Sequence, residues 1–173
     1  MHYIRNNLAV CGFPGIGSRE AFEAHGFRVQ LQCTEPFDPW LSECVEVKSA
    51  PFADGAPIPK DLFLDAQEWL AKSWDSGFKI LISCASGHSR SVTVAVALLR
   101  KKAQPRFLDA VYEVIARVPG AYPHPYVLAS AAAFSGQPLQ LEELQSVYAA
   151  VKEQPPYPWS IDLLREAARA VYA

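Results

Sequence analysis

The feature that most constrains this 173-residue chain is a short apolar run that leads through a small polar segment into a second apolar run. Residues 79–84 (KILISC) predict a buried strand, 85–91 (ASGHSRS) a small polar loop that leads into a helix, and 92–99 (VTVAVALL) the apolar part of that helix. A strand that enters a helix through such a loop points backbone N–H groups at one centre, next to the positive end of the helix dipole. The sequence therefore predicts a site for an anion.

A similar alternation of elements extends along most of the chain. Strands are predicted at 8–11, 27–32, 44–47 and 79–84, and helices at 19–25, 59–76, 89–103, 105–118, 125–134, 141–152 and 161–171. This order predicts an α/β fold, a single domain with a central, mostly parallel sheet of four to five strands flanked by helices. The last two helices, within residues 137–173, are too small to form a core alone. We expect them to pack as a helical extension on the same domain.

Composition narrows the classes of function. Half of the residues are apolar, and 16 basic residues nearly balance 18 acidic ones, which argues against disorder and against nucleic acid as a partner. No apolar stretch is long enough to cross a bilayer, and the N-terminal residues lack the pattern of a secretory leader. The four cysteines form no C-x-x-C pair, so we expect no metal site, no cofactor and a reducing, cytoplasmic location. The oligomeric state is left open.

Four residues in and beside the predicted loop suit phosphoryl transfer. Cys84 ends the strand beside the N–H groups, where a thiol ionises readily and becomes a nucleophile. The planar guanidinium of Arg90 can bind two phosphate oxygens, and Gly87 lets the backbone approach an oxyanion closely. Ser91 can donate a hydrogen bond to the sulfur. The alternative is a buried, inert Cys84 beside a solvated Arg90. The combination of strand, loop and helix favours the functional interpretation.

The loop sequence resembles a known signature. The string Cys84-x-x-Gly87-x-Ser89-Arg90-Ser91 is similar to the loop of the dual-specificity phosphatases, within the cysteine-dependent protein tyrosine phosphatase superfamily. Residues 7–12, 61–82 and 118–128 resemble the first strand, the helix and strand before the loop, and the late Pro-x-Pro segment of that family. The resemblance spans about residues 5–135 and is specific mainly at 78–99.

The resemblance implies a protein tyrosine phosphatase-like fold with residues 1–136 as the catalytic domain. It also implies hydrolysis of phosphate monoesters through a phosphocysteine intermediate. The substrates would be phosphotyrosine proteins, and in the wider case phosphoserine or phosphothreonine proteins or a small phosphate monoester. Cys84 would be the nucleophile, assisted by Arg90 and Ser91. The loop residues that would bind the phosphate are Ala85, Ser86, Gly87, His88, Ser89 and Arg90.

A phosphate monoester also needs a proton donor for its leaving oxygen. The family takes it from an aspartate about thirty residues before the cysteine, on a loop that follows a strand. Asp54 lies 30 residues before Cys84 in a Pro-rich segment after the predicted strand 44–47, and is therefore the candidate. Asp61 and Asp65 are the rival carboxylates, although an acid in the first turn of a helix, such as Asp61, is favoured there by the helix dipole alone.

One position departs from the family, which has histidine directly before the cysteine where this chain has Ser83. Because that histidine helps to hold the loop and the thiolate, we expect slower chemistry here rather than none. Two alternatives stay open. One is a weakly active or inactive phosphate-binding module of the same fold, and the other is a rhodanese-type sulfur transferase, which also uses a cysteine loop.

Overall fold

A five-stranded sheet positions the predicted loop at the end of its central strand. The computed structural model describes residues 1–35, 39–151 and 159–170. Within them the strands are β1 His2–Arg5, β2 Leu8–Gly12, β3 Val29–Gln32, β4 Glu46–Ser49 and β5 Ile80–Cys84. Their order is β1-β2-β5-β3-β4, with β1 antiparallel to β2 and all other neighbours parallel. The predicted α/β fold with a mostly parallel sheet is confirmed.

Helices cover both faces of this sheet. They are α1 Arg19–Ala24, α2 Leu41–Cys44, α3 Lys60–Asp75, α4 Arg90–Lys102, α5 Phe107–Arg117, α6 Pro125–Phe134, α7 Leu141–Ala150 and α8 Ile161–Ala170. Successive strand residues point to opposite faces. Ile82 therefore packs into the large core formed with α3 to α8, whereas Leu81 packs with Phe22 of α1 and Leu41 of α2.

Three short elements were not predicted from the sequence: β1, α2 and a 3-10 helix over Phe13–Gly15. Each has only three or four residues, which is too short for a periodic pattern to emerge. The predicted strand 44–47 begins two residues later, as β4. The chain there first makes a helical turn, in which the Val45 N–H donates to the Leu41 carbonyl at 3.0 Å. The predicted helix ends at Lys152 and Val171 lie outside the described residues.

Helices α7 and α8 share the core of the earlier helices. Val147 of α7 and Leu164 of α8 are buried in the cluster that also contains Leu70 of α3 and Leu98 of α4. The division between a catalytic domain at 1–136 and an extension at 137–173 stays a prediction. In the described part of the chain, none of the helices combines the length and apolar character that crossing a membrane requires.

A paired carboxylate joins β1 to α5 and makes the stability of the fold sensitive to acid. The Nε and Nη2 atoms of Arg5 each donate to the Glu113 carboxylate at 2.9 Å, and these bonds hold the pKa of Glu113 below its ordinary value of 4.5. A lowered carboxylate pKa contributes stability above the unfolded value, which is lost as pH falls through the folded value.

We therefore expect Glu113→Gln to lower the free energy of unfolding by about 1 kcal/mol at neutral pH, since Arg5 is partly exposed. The difference between the two proteins should shrink as pH falls below 4.5 and through the lower pKa that Glu113 has in the folded protein. Urea unfolding at neutral and acidic pH measures both values. An equal difference at the two pH values would contradict the role of the ionised pair.

Candidate active site

The Cys84 sulfur lies against the loop that follows it. Cys84 is the last residue of β5, and α4 begins at Arg90. The Gly87 N–H donates to Cys84 Sγ at 3.3 Å, and Ser91 Oγ lies 3.2 Å from the same sulfur. Backbone N–H and hydroxyl groups that face a sulfur stabilise its ionised form. The Cys84 side chain is buried and hydrogen-bonded. The structure brings Cys84, Gly87 and Ser91 together, as the sequence predicted.

Two glycines fit the loop closely to the end of β2. Gly87 has a φ of +82°, and a Cβ there would lie 2.4 Å from the Gly12 nitrogen. A Cβ on Gly12 would lie 2.5 Å from the Ser86 carbonyl carbon. Both positions therefore require glycine. Sequence reasoning identified Gly87 but missed Gly12, although a glycine that ends an apolar strand is a signal of close backbone approach.

Arg90 faces an open cleft beside the loop. Its Nη1 donates to the Phe52 carbonyl at 3.2 Å, while its Nε is shielded from solvent and has no partner among the described residues. The cleft has a volume of about 650 Å³ and is lined by Phe13, Thr34, Glu35, Pro51, Phe52, Ala53 and Arg90. The guanidinium therefore has donors left for the oxygens of an anion.

Ser89 links the candidate proton donor to the loop. Its hydroxyl donates to Asp54 Oδ1 at 2.6 Å and accepts the backbone N–H of His124 at 2.9 Å. Its side chain makes no capping bond to α4, which leaves the first N–H groups of that helix without a side-chain cap. The rival Asp61 lies in the first turn of α3, and Asp65 pairs with Lys48 at 2.7 Å.

His124 supports this contact from the start of α6. Its Nδ1 accepts the Tyr126 N–H at 3.3 Å, so the ring caps the helix. Burial holds the pKa of His124 below its ordinary value of 6.5, against the opposing effect of the Asp54 charge, so we expect a neutral ring at neutral pH. The Trp159 ring meets the His124 ring edge to face at 4.6 Å between centroids. Sequence reasoning assigned no role to His124 beyond a turn.

Ser83, which replaces the histidine of the family, is turned into the sheet. It is fully buried, and its Oγ accepts a hydrogen bond from Gln30 Nε2 at 2.9 Å. Its carbonyl accepts the Cys33 N–H at 2.8 Å. These contacts fix the end of β5 to β3, directly before the nucleophile candidate. The Ser83–Gln30 pair was not predicted, because the two residues lie far apart in the chain.

Other loop residues and cysteines differ from Cys84 in their surroundings. The side chains of Ala85, Ser86 and His88 are exposed at the loop.

Burial raises the pKa of the Cys11 thiol to about 12 and that of Cys33 well above its ordinary value. Both of these thiols are therefore held in the protonated form.

Solved structures match this fold, whereas no protein-family model and no curated protein matches the sequence. The chain is similar to a mutant form of Tk-PTP, with 26% identity and a TM-score of 0.66, over 78% of this chain and 93% of that one. It is similar to human DUSP28, with 18% identity and a TM-score of 0.70, over 84% and 99%. The human tyrosine phosphatase-like serine/threonine/tyrosine-interacting protein matches with 18% identity and a TM-score of 0.65, over 87% and 98%.

In its fold and its cysteine loop the chain is similar to the dual-specificity phosphatase-like members of the cysteine-dependent protein tyrosine phosphatase superfamily. The predicted resemblance to that family is confirmed at the level of the fold.

Proposed function

We propose that the chain is a cysteine-dependent phosphatase that hydrolyses phosphate monoesters through a phosphocysteine intermediate. The observation that carries the proposal is the pair of contacts at the loop: the sulfur of Cys84 faces the Gly87 N–H, and Asp54 is bound to Ser89 of the same loop. A nucleophile, an anion site and a carboxylic acid are the three groups that such a reaction requires.

In the first step, the Cys84 thiolate attacks phosphorus, so that an S–P bond forms while the P–O bond to the leaving group breaks. The loop N–H groups and the Arg90 guanidinium bind the phosphate oxygens and stabilise the charge of the transition state. Asp54 gives its proton to the departing oxygen. Because the Ser89 hydroxyl binds Oδ1, the second carboxyl oxygen can carry that proton.

In the second step, water attacks the phosphorus of the phosphocysteine and the S–P bond breaks. Asp54, now ionised, takes a proton from the attacking water. The Ser91 hydroxyl, 3.2 Å from the sulfur, donates a hydrogen bond to the departing thiolate. Inorganic phosphate leaves, and Cys84 returns to its starting state.

The positive charge in this scheme comes from Arg90 and the backbone N–H groups of the loop. We expect phosphate release from 4-nitrophenyl phosphate to be unchanged by a chelator and to be inhibited by vanadate, which imitates the five-coordinate transition state. A mass increase of one phosphoryl group on the Cys84 peptide after acid quenching would identify the intermediate. Activity that is lost on chelation and restored by a divalent cation would contradict the scheme.

A panel of phosphotyrosine, phosphothreonine and phosphoserine peptides and small monoesters would define the substrate class. If the chain is instead a phosphate-binding module of the same fold, it would bind vanadate without releasing phosphate from any of these substrates. A sulfur transferase would instead form a persulfide on Cys84 from thiosulfate. Ser83 is buried and its hydroxyl binds Gln30, so no imidazole supports the loop at this position. This observation is the reason to test the phosphate-binding module as the alternative.

Asp54→Asn isolates the contribution of the proton donor. Asparagine keeps an oxygen that can accept the Ser89 hydrogen bond but has no carboxylic proton to give. We expect phosphate release from phenyl phosphate to fall about 100-fold, with vanadate binding retained. The loss should be much smaller for dinitrophenyl phosphate, whose leaving group departs as a stable anion. Asp61→Asn, the matched control in α3, should change neither rate, and an equal loss in both variants would remove Asp54 from the role.

A further inference from the structure

The hydroxyl of Ser89 is used differently from those of two other serines that precede helices. Ser18 and Ser160 stand before α1 and α8, and each hydroxyl accepts the backbone N–H three residues further on, at 3.3 and 3.2 Å. This bond is the ordinary contribution of a serine to the start of a helix. Ser89 stands at the same position before α4, yet its hydroxyl makes no such bond. Helix capping therefore does not account for the hydroxyl of Ser89.

The two partners of Ser89 decide where its hydroxyl hydrogen points. The oxygen accepts the His124 backbone N–H at 2.9 Å, and Asp54 Oδ1 lies 2.6 Å away. A hydroxyl has one hydrogen, and the Asp54 oxygen is the one acceptor that it meets among the described residues. Ser89 is only 6% exposed, so its hydroxyl is largely shielded from solvent. The hydroxyl therefore donates to Oδ1, and the carboxylic proton is left to Oδ2.

The Asp54 carboxyl depends on this bond for its position. Asp54 and Gly55 lie exposed in a turn, and Gly55 has a φ of +117°. Within the part of the chain that the structure describes, Ser89 is the one side chain that hydrogen-bonds to the Asp54 carboxylate. A misplacement of about 1 Å in an active site can cost about 100-fold in rate. The alignment of the candidate acid thus depends on one hydroxyl of the loop.

We propose that Ser89 is a positioning residue, whose hydroxyl directs the Asp54 proton to the leaving oxygen instead of binding the phosphate. The inference rests on the proposed function, because it assigns a task within that reaction. The sequence places Ser89 among the phosphate-binding residues, and its backbone N–H keeps that task while its side chain serves the acid. Ser91 differs, since its hydroxyl lies 3.2 Å from the Cys84 sulfur. The two hydroxyls therefore act on different reacting groups.

Ser89→Ala removes the hydroxyl and keeps the backbone N–H. We expect kcat/KM, which reports the first step, to fall about 30-fold for phenyl phosphate and less than about threefold for dinitrophenyl phosphate. The affinity for vanadate should stay within about twofold of wild type, because the loop N–H groups remain. A purely structural role would lower all three values together. Ser73→Ala removes a hydroxyl that is equally buried, in α3, and should change none of them.

A double-mutant cycle with Asp54 tests whether Ser89 acts through the acid. Asp54→Asn has no carboxylic proton, so the loss of the Ser89 hydroxyl has nothing left to misalign. In that background we expect Ser89→Ala to change kcat/KM for phenyl phosphate by less than about twofold. Equal losses in the two backgrounds would overturn the proposal. An equal loss for the two leaving groups in the otherwise wild-type chain would also overturn it.

The same measurements separate this proposal from the proposed function. Wild-type rates in Ser89→Ala, with activity still lost in Cys84→Ser, would overturn the role of Ser89 and leave the phosphatase in place. No phosphate release by the wild-type chain would overturn both. Because Ser89→Ala leaves the His124 N–H without its acceptor, the melting temperature checks the fold. If that variant does not fold, Ser89→Gly gives a water room at this N–H and should show the same dependence on the leaving group.

Discussion

Cys84→Ser is expected to reduce phosphate release by at least about 10⁴-fold, the largest effect of any substitution in this chain. A serine hydroxyl at this position stays protonated and is a far weaker nucleophile than a thiolate. The shape of the loop should persist, because a serine oxygen can still accept the Gly87 N–H that now meets the sulfur. Steady-state release from 4-nitrophenyl phosphate measures the loss, and calorimetric titration with phosphate measures the retained binding.

Cys44→Ser is the matched control for this experiment. Cys44 ends α2 before β4, so it lies at the opposite end of the parallel strands from the loop, and its Sγ contacts Glu23 at 3.3 Å. The same chemical change there should leave phosphate release intact. Residual activity of Cys84→Ser near the wild-type level would exclude a phosphocysteine intermediate and with it the proposed reaction.

Arg90→Lys is expected to lower phosphate release about 100- to 1000-fold, even though the charge is kept. A guanidinium presents a planar fork that binds two oxygens, and here one arm already contacts the Phe52 carbonyl at 3.2 Å. A lysine ammonium supplies one compact charge and cannot make both contacts. Phosphate affinity should fall together with the rate, which distinguishes this variant from Asp54→Asn.

Arg117→Lys in α5 makes the same replacement away from the loop and should preserve both rate and affinity. If Arg90→Lys retained both values, phosphate recognition would depend on the backbone N–H groups alone. The assignment of Arg90 to the transferred phosphoryl group would then be wrong.

The strand, loop and helix around Cys84 could be predicted because their signals are local. The apolar runs, Gly87 and the basic last turn of α4 lie within one continuous segment, and β5 and α4 begin and end within one residue of the predicted limits. Element boundaries elsewhere shifted more, as at β4, where a helical turn replaces the start of the predicted strand.

The rest of the site depends on contacts between distant residues. Asp54 was selected by its spacing from Cys84 within a family resemblance, and nothing in its own segment reveals the hydrogen bond to Ser89. The close approach of Gly12 to Ser86 and the pairing of Gln30 with Ser83 likewise arise only when β2, β3 and β5 assemble. One amino-acid sequence on its own records none of these pairs.

The two hydrogen bonds of the Ser89 hydroxyl join three separate regions of the chain: its own loop, the Asp54 segment and the entry to α6. One hydroxyl group thus connects the candidate proton donor Asp54 and the loop after Cys84 to the start of α6. The Trp159 ring, from the last third of the chain, packs against His124 at this contact. Under the proposed function, the position of Asp54 relative to the loop therefore depends on all three regions, and a shift in any one of them would change it.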